Sequence, residues 1–458
     1  MKFFIASFLA SAVTALETKL TILHLNDHHS HLSESSAGYV NIQNDDIPTS
    51  VSENNGNTKD LRVFYGGFPR LVTAMNALQS EAETNDRDVL RLHAGDAITG
   101  TTYFTLFEGD ADAKLMSHIC LDAFAPGNHE FDKGDDGLAR FLKAIQASLS
   151  TECPQMPAVL GANIVPHDQS GLLAPDVPAI ESSKIFTLRN GERIGVIGID
   201  IAKKTMNSSQ PDAGTILLDE KETAQAEIDT LTAQGVNKIV LLTHIGYTND
   251  QAWMAQLNGV DVVVGGDSHS LLGDENTSLF GSTRGDYATE ITQENGNKVC
   301  VVQAWEYAKL IGNLEIDFDT DGNVVSCAGT PVFPLNPDSV TVRDANPRYN
   351  LSSEDAALIM AELFNMSGGQ ARPFAEDATA AADLAVFTSE VEILSQTVVT
   401  SASQTINLEE GGWDSGSCDL VAQGFLLNPL STADIAIQNR GGCRAAIQEV
   451  SVCIQNDI

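Results

Sequence analysis

The chain has 458 residues, enough for two or three domains, and its 43% hydrophobic and 19% charged residues are those of a folded globular protein. Acidic residues number 62 against 26 basic ones, a formal net charge of −36. That balance excludes non-specific nucleic-acid binding, which needs Lys and Arg against phosphate, and reads as a soluble, self-repelling surface.

Residues 1–15 read as a secretory signal, with Lys2 as the positive end, an apolar core and a small-residue cleavage site at 13–15. The apolar run is too short to span a bilayer, and no later stretch is long and apolar enough for a transmembrane helix. Residues 452–458 lack the apolar tail of a lipid-anchor signal. A secreted location follows, and it makes disulfides available to Cys120, Cys153, Cys300, Cys327, Cys418, Cys443 and Cys453. Their number is odd, so at least one has no partner within the chain, and spacing does not settle the pairing. Sequons at Asn207, Asn276, Asn350 and Asn365 fit a secreted glycoprotein.

Residues 18–25 form a β-rich run ending in Asn26-Asp27-His28-His29. Residues 33–60 are polar and read as a long surface loop. Helical spacing of Leu71, Met75 and Leu78 predicts a helix over 68–83, and 88–92 is a short strand ending in His93-Ala94-Gly95-Asp96. A helix over 111–118 and a strand over 121–125 lead to Gly127-Asn128-His129-Glu130-Phe131-Asp132, followed by a helix over 138–148. The rhythm continues with a strand at 193–199, a helix at 222–234 with apolar Ala226, Ile228 and Leu231, and a strand at 238–242 ending in Thr243-His244. A short helix at 251–257 precedes the strand 260–264, which ends in Gly265-Gly266-Asp267-Ser268-His269. Strands at 299–303 and 312–318 close the unit. Alternating strands and helices predict a layered α/β domain. Residues 330–350 are Pro- and Asn-rich and read as a loop. Ser352 or Ser353 can cap a helix reaching Met366, which Gly368-Gly369 stops. A strand at 391–400, a helix at 418–427 and a strand at 433–438 form a small second region.

In the first domain nearly every core strand ends in a metal-ligand residue type: Asp27 and His29, Asp96, Asn128 and His129, His244, Asp267 and His269. A lone Asp at a strand end usually caps a helix, and a lone His is usually structural. Five strand ends together are different, because loops at the carboxyl ends of strands in α/β folds gather in one crevice. The set holds too many oxygens and imidazoles for one tetrahedral zinc, and no thiolates, so it suits two adjacent divalent ions, with the central Asp96 as the natural bridge. Two such ions suit phosphate-ester hydrolysis. His129 and Asp132 stand three apart, so a carboxylate can orient and help charge the imidazole. Gly127 would permit a tight exit from the strand, Phe131 would pack, and Glu130 has no assigned role.

Asp27-His28-His29, Gly95-Asp96, Gly127-Asn128-His129-Glu130, Thr243-His244 and Gly266-Asp267-Ser268-His269 resemble the five blocks of metallophosphoesterases, specifically the secreted 5′-nucleotidase family. The resemblance covers about residues 18–330. Residues 92–101 and 122–132 are its most specific matches, and they are most similar to the subgroup of NAD nucleotidases. It implies a four-layer α/β/β/α metallophosphoesterase domain over 18–335, a linker and connecting helix over 336–370, and a partial α/β second domain over 371–458. It further implies that Asp27, His29, Asp96 and His269 hold one divalent ion and Asp96, Asn128, His244 and Asp267 the other, the metals being Zn²⁺, Mn²⁺, Mg²⁺ or Ca²⁺. His129 would stabilise the transition state, paired with Asp132. Many relatives carry His where this chain has Asp267, and the added carboxylate should favour harder ions.

In the family the second domain binds the nucleoside. Asn439-Arg440-Gly441-Gly442-Cys443-Arg444 resembles its Asn-Gly-Gly-Gly-x-Arg turn, which makes Asn439 and Arg444 candidate substrate contacts, although Arg440 replaces a glycine and a plain hairpin turn fits equally. Residues 409–416 fit the family poorly, an expected Arg is missing, and the stacking aromatics would follow residue 458. An incomplete chain and a lost nucleoside site are both open. The implied function is a secreted two-metal phosphohydrolase acting on small-molecule nucleotides. The alternatives are an NAD or nucleoside-diphosphate pyrophosphatase and a non-catalytic nucleotide-binding relative.

Overall fold

Strands that are buried on both faces build the centre of the molecule. In the strand Thr18–Leu25 only Lys19 is exposed, as expected of a strand covered on either side by other layers. The computed structural model describes residues 18–395, 398–402, 416–427 and 450–454. These fall into two compact units that divide between Leu384 and Ala385.

The larger unit contains two main sheets. The first runs in the order Gly38–Gln43, Asp60–Tyr65, Val324–Val342, Ile311–Phe318, Thr18–Leu25, Asp88–His93, Ala123–Phe124, Ala158–Leu160, Ile180–Glu181. The second runs Thr289–Thr292, Lys298–Gln303, Val262–Gly265, Ile239–His244, Arg193–Asp200, Ser183–Thr187. Leu20, Ile22, Leu90, Leu92, Leu314 and Ile316 of the first sheet share one core with Ile194, Val196, Val240, Leu242, Val262 and Val264 of the second. The opposite face of the second sheet packs Ile197, Leu241 and Val263 with Ala224, Ile228 and Leu231 of the helix Glu220–Ala233. The helix Phe68–Thr84 buries Leu71, Met75 and Leu78 on the first sheet's side. The architecture is the expected four-layer α/β/β/α sandwich.

Parallel pairing sets where the strands end. Leu25 pairs with His93, and His93 with Phe124, in the first sheet. Asp200 pairs with His244, and Gly265 with Gln303, in the second. The loops that leave these positions are the ones carrying the candidate ligands. A Cys300–Cys327 disulfide joins Lys298–Gln303 to Val324–Val342 and so ties the two sheets together across the shared core. A second disulfide links Cys120 and Cys153.

Several local expectations need correction. Residues 33–60 are not a surface loop: Gly38–Gln43 is a strand and Thr49–Asn54 a helix, and Val40, Ile42, Ile47 and Val51 are buried. The period-two burial of Val40 and Ile42 was present in the sequence but was outweighed by the surrounding Asn, Ser and Asp. The Pro-rich stretch from 330 lies largely in the strand Val324–Val342. Its pairing with Asp60–Tyr65 shifts register between Leu335 and Val340, which accommodates Pro337, and Phe333, Leu335, Val340 and Val342 are buried. The helix Ser353–Met366 is capped by Ser352, as expected, and buries Ile359, Met360 and Leu363 in the same cluster as Phe333 and Leu335. Ala226 is exposed, and Ala224 takes the buried position instead. The short helix near 251–257 starts earlier, as Tyr247–Ala252, followed by a single 3₁₀ turn.

The smaller unit contains the antiparallel pair Val398–Ala402 and Val450–Ile454 and the helix Gly416–Leu427. The strand expected over 391–400 begins only at Val398, because the helix Ala378–Ser395 occupies its first half. The expected strand at 433–438 and the signal at 1–15 lie outside the described residues.

The inter-sheet disulfide closes a loop of 27 residues in sequence separation. Replacing Cys300 and Cys327 together by Ala is expected to lower unfolding stability by about 2–4 kcal/mol. Urea midpoints of the oxidised protein and the double variant measure this; equal midpoints would remove the cross-link's assigned role.

Candidate metal centre

The ligand loops are zipped backbone to backbone. Asp27 N–H donates to Gly95 O at 2.9 Å, His29 N–H to Asp96 O at 3.1 Å and Ser30 N–H to Ala97 O at 3.0 Å. Asp267 N–H, from the second sheet's loop, donates to the Asp27 carboxylate at 3.0 Å. Asp27, His29, Asp96, Asp267 and His269 all adopt positive φ between 48° and 74°. Asp and His tolerate that left-handed region better than most residues, yet five instances at one place mark a backbone held for its side chains.

Three imidazoles are oriented by their outer nitrogens. His29 Nδ1 donates to Thr99 O at 2.7 Å, His244 Nδ1 to Ala94 O at 2.7 Å, and His269 Nδ1 to Glu306 Oε2 at 2.7 Å. With Nδ1 committed, each ring presents Nε2 to the centre, as metal-binding histidines do when their outer nitrogen donates to a carbonyl or carboxylate. There His29 Nε2 and His269 Nε2 face one another at 3.2 Å. His269 Nε2 lies 3.2 Å from Asp27 Oδ1, and Asp96 Oδ2 lies 3.0 Å from His244 Nε2 and 3.6 Å from His29 Nε2. Two lone pairs directed at each other repel unless a proton or a metal cation lies between them. His244 Nε2 and Asn128 Oδ1 are buried, and neither has a hydrogen-bond acceptor or donor in good geometry. These donor atoms fit divalent cations of borderline or hard character.

The groups Asp27–His29–His269, Asp27–Asp96–His244 and His29–Asp96–His129 each place one ligand-type atom per residue within 4.8 Å of the others. His129 thus lies beside the cluster, and its Nδ1 meets Asp132 Oδ2 at 2.7 Å. The Asp267 carboxylate is hydrogen-bonded by Lys204, from the helix Ala202–Ser208. Asn439 and Arg444 lie outside the described residues.

Charge follows the same geometry. Burial pushes the Asp96 carboxyl up, but the close approach of His244 at 3.0 Å and the neighbouring His129 and His29 outweigh it and hold the group well below the usual carboxylate range. Burial pushes His269 down, yet Asp27 and Glu306 raise it from 6.5 to about 9. Burial dominates at His29, which falls to about 3.

Several residues with no role in the sequence reading prove to be part of the site. Glu130 is fully buried, and its carboxylate accepts the N–H groups of Gly127 at 2.6 Å, Asp96 at 2.9 Å, Ala97 at 2.7 Å and Ile98 at 3.3 Å. It therefore pins the Asp96 loop to the Asn128 loop. Glu306 fixes His269, and Asn26 clamps the loop after Gln303 by donating to Trp305 O at 2.8 Å and accepting from Ala304 N–H at 2.7 Å. None carried a signal of its own, since each acts on a partner remote in sequence. Gly127 is needed for space rather than torsion: its φ is −102°, but an added Cβ would stand 2.5 Å from Asp96 Oδ1 and 2.7 Å from His244 Nε2.

The description calcineurin-like phosphoesterase matches residues 20–271, more than half of the chain. The chain belongs to that family. It is 39% identical over 339 residues to a probable 5′-nucleotidase of Treponema pallidum, covering 74% of this chain and 51% of the relative. It is 33% identical over 446 residues to the NAD 5′-nucleotidase of Haemophilus influenzae, covering 94% of this chain and 67% of the relative. The solved structure of Haemophilus influenzae NAD nucleotidase superposes with a TM-score of 0.69 at 32% identity, covering 84% of this chain and 70% of that one. The chain thus spans about half the length of the first relative and two thirds of the second.

Two outcomes are expected. Gly127→Ala, by crowding Asp96 and His244, should weaken Mn²⁺ binding at least about tenfold in calorimetry, and unchanged binding would contradict the crowding. An ion held by His269 Nε2 would also have to displace its proton. That proton's contribution makes affinity climb about tenfold per pH unit toward the folded pKa of about 9 and level off above it. The stabilisation of the ion-free protein by protonated His269 is correspondingly complete below 6.5 and lost as pH rises through about 9. Titrations across this range that show flat affinity would contradict the pairing with Asp27 and Glu306.

Proposed function

We propose that the chain is a secreted, two-metal phosphohydrolase that removes phosphate from nucleotides. The carrying observation is the facing pair of imidazole nitrogens, His29 Nε2 and His269 Nε2 at 3.2 Å, with both rings anchored through Nδ1. The family supplies the reaction class, and the names of the Treponema and Haemophilus relatives supply the substrate class.

In this reading Asp27, His29, Asp96 and His269 hold one ion and Asp96, Asn128, His244 and Asp267 the other. Asp96 Oδ2 lies 3.6 Å from His29 Nε2 and 3.0 Å from His244 Nε2, so Asp96 would belong to both ligand groups. The bound ions would supply an activated water and compensate charge on the phosphoryl oxygens. Asp96 Oδ1 accepts the N–H of His129 at 2.9 Å, so the bridging ligand also places the catalytic loop. Asp132 anchors the Nδ1 edge of His129 and sets its orientation. His129 then donates to a phosphoryl oxygen as negative charge develops there.

Secretion is supported by residues 1–15, by two disulfides, and by exposed sequon residues Asn207, Asn350 and Asn365. The proposed layout remains a metallophosphoesterase domain over 18–335, a linker and helix over 336–370 and a partial second domain over 371–458, with Asn439 and Arg444 as substrate contacts. A second reading, cleavage of NAD or of nucleoside diphosphates, is favoured by the alignment with the Haemophilus NAD 5′-nucleotidase over 94% of this chain.

Product analysis after incubation with AMP, ADP, UDP-glucose, NAD or an aryl phosphate, with Mn²⁺ and with chelator, separates these readings: the first releases phosphate from AMP, and the second splits NAD into nicotinamide mononucleotide and AMP without releasing phosphate. Chelator-sensitive release from AMP is expected. Splitting of NAD without phosphate release from AMP would favour the second reading, and no metal-dependent cleavage product from any substrate would remove both. His129→Ala should lower kcat by about 10²–10³ with ion content unchanged; loss of the ions would contradict the assigned role. Asp267→His should move ion preference from Mn²⁺ and Mg²⁺ toward Zn²⁺, and an unmoved preference would count against its place in the ligand set.

A further inference from the structure

A second set of polar groups, fully buried, runs behind the ligand loops. His93 Nε2 meets His28 Nδ1 at 2.9 Å, His28 Nε2 meets Asp112 Oδ1 at 3.2 Å, and Ser30 Oγ donates to Asp112 Oδ2 at 3.0 Å. At the other end the backbone N–H of Gly95 donates to His93 Nδ1 at 3.2 Å. His28, Ser30, His93 and Asp112 are each at most 1% exposed. The rings of Phe68 and Phe124 flank the imidazoles at 4.7 Å and 5.6 Å.

The direction of both imidazole hydrogen bonds is forced. A backbone N–H can only donate, so His93 Nδ1 accepts. In a neutral ring His93 Nε2 then carries the hydrogen and donates to His28 Nδ1. That leaves the hydrogen of His28 on Nε2, where it is donated to Asp112. Both rings are fully buried beside Phe68 and Phe124, surroundings that favour the neutral form. A chain with a single allowed set of tautomers is a stiff connector, because no member can flip without leaving a buried polar atom unpaired.

Its two ends grip different ligand loops. His28 and Ser30 alternate with Asp27 and His29, and His93 and Gly95 precede Asp96. All three of those ligands hold positive φ, a conformation that persists only when the surroundings over-determine it. Asp112 comes from a third element, the helix Asp110–Met116, and its carboxylate bonds to His28 and Ser30. We propose that Asp112, His28, Ser30 and His93 form a positioning strut that fixes the Asp27–His29 loop against the Asp96 loop and thereby sets affinity for divalent ions. This rests on the reading of Asp27, His29 and Asp96 as ligands. None of the four strut residues is itself a ligand in that reading.

The test is Mn²⁺ binding by calorimetry on the full chain, beside thermal melting of the ion-free protein. Asp112→Ala, which removes the acceptor farthest from the ligands, is expected to weaken Mn²⁺ binding about 10- to 100-fold, as outer-shell losses do. Asp112→Asn keeps an oxygen for His28 and should restore binding to within about twofold of wild type. His93→Phe keeps a flat ring without nitrogens and should match Asp112→Ala. Asp261→Asn is the comparator: its carboxylate is also buried and accepts the N–H of Ile239 at 2.7 Å, but it stands at the far end of the second sheet's strands. It should lower the melting temperature without changing Mn²⁺ affinity. Wild-type affinity in Asp112→Ala or in His93→Phe overturns the strut, as does equal weakening by Asp261→Asn, which would mark a general stability effect. If one of the two strut variants does not fold, the other decides. If wild type binds no Mn²⁺, the ligand assignment itself fails and the strut's function with it.

Discussion

Two imidazole nitrogens facing each other at 3.2 Å, each on a ring whose far side is already committed, impose the central constraint on this structure. Like lone pairs at that distance repel, and burial strips away the water that would relieve them. Only positive charge between them satisfies the arrangement, whether as a proton or as a metal cation. The surrounding carboxylates, Asp27 and Asp96, answer the same demand, and in the ion-free protein the high affinity of His269 for a proton records it. A centre of this kind stays assembled only if the scaffold opposes its collapse.

The scaffold does so in layers. Two sheets stack so that their parallel strands end at one edge, and a disulfide ties them through the shared core. Backbone hydrogen bonds hold the Asp27 loop against the Asp96 loop, and Glu130 collects four N–H groups from the Asp96 and Asn128 loops. The left-handed residues at the ligand positions cost free energy that these contacts offset. Glu130 shows the balance within one residue: burial and the charge of Asp96 push its carboxyl up to about 7, against hydrogen bonds from the backbone that favour the ionised form. The His129 loop and Asp96 are thus one mechanical unit, since Asp96 Oδ1 receives the N–H of His129 while Oδ2 faces the cluster.

How much was legible in the chain depended on burial. The strands at 18–25, 193–199 and 260–264 were readable because they are rich in Leu, Ile or Val, as strands covered on both faces tend to be, and their ends are sharp. The strand Gly38–Gln43 and the long strand Val324–Val342 were read as loops, because half-buried strands alternate and Pro or Asn at exposed or bulged positions masks the alternation. The helix Ala378–Ser395 displaced half of an expected strand for a related reason: Val391 and Ile393 favour strands locally, while the Ala-rich stretch before them favours helix continuation.

The sequence by itself determined which residue types stand at strand ends, and five such ends with Asp, His and Asn were enough to anticipate a metal centre and its reaction class. Ligand chemistry is local, so it can be read residue by residue. Tertiary structure alone decided which nitrogen of each histidine faces the centre, that Gly127 is required for room rather than for its torsion, and that Glu130, Glu306 and the His28–His93–Asp112 chain belong to the site. Those properties depend on hydrogen-bond partners up to 84 residues away for His28 and 150 for His244. No spacing rule reports such partners, because parallel strand pairing within each sheet, helix packing and the stacking of the two sheets together bring them into contact.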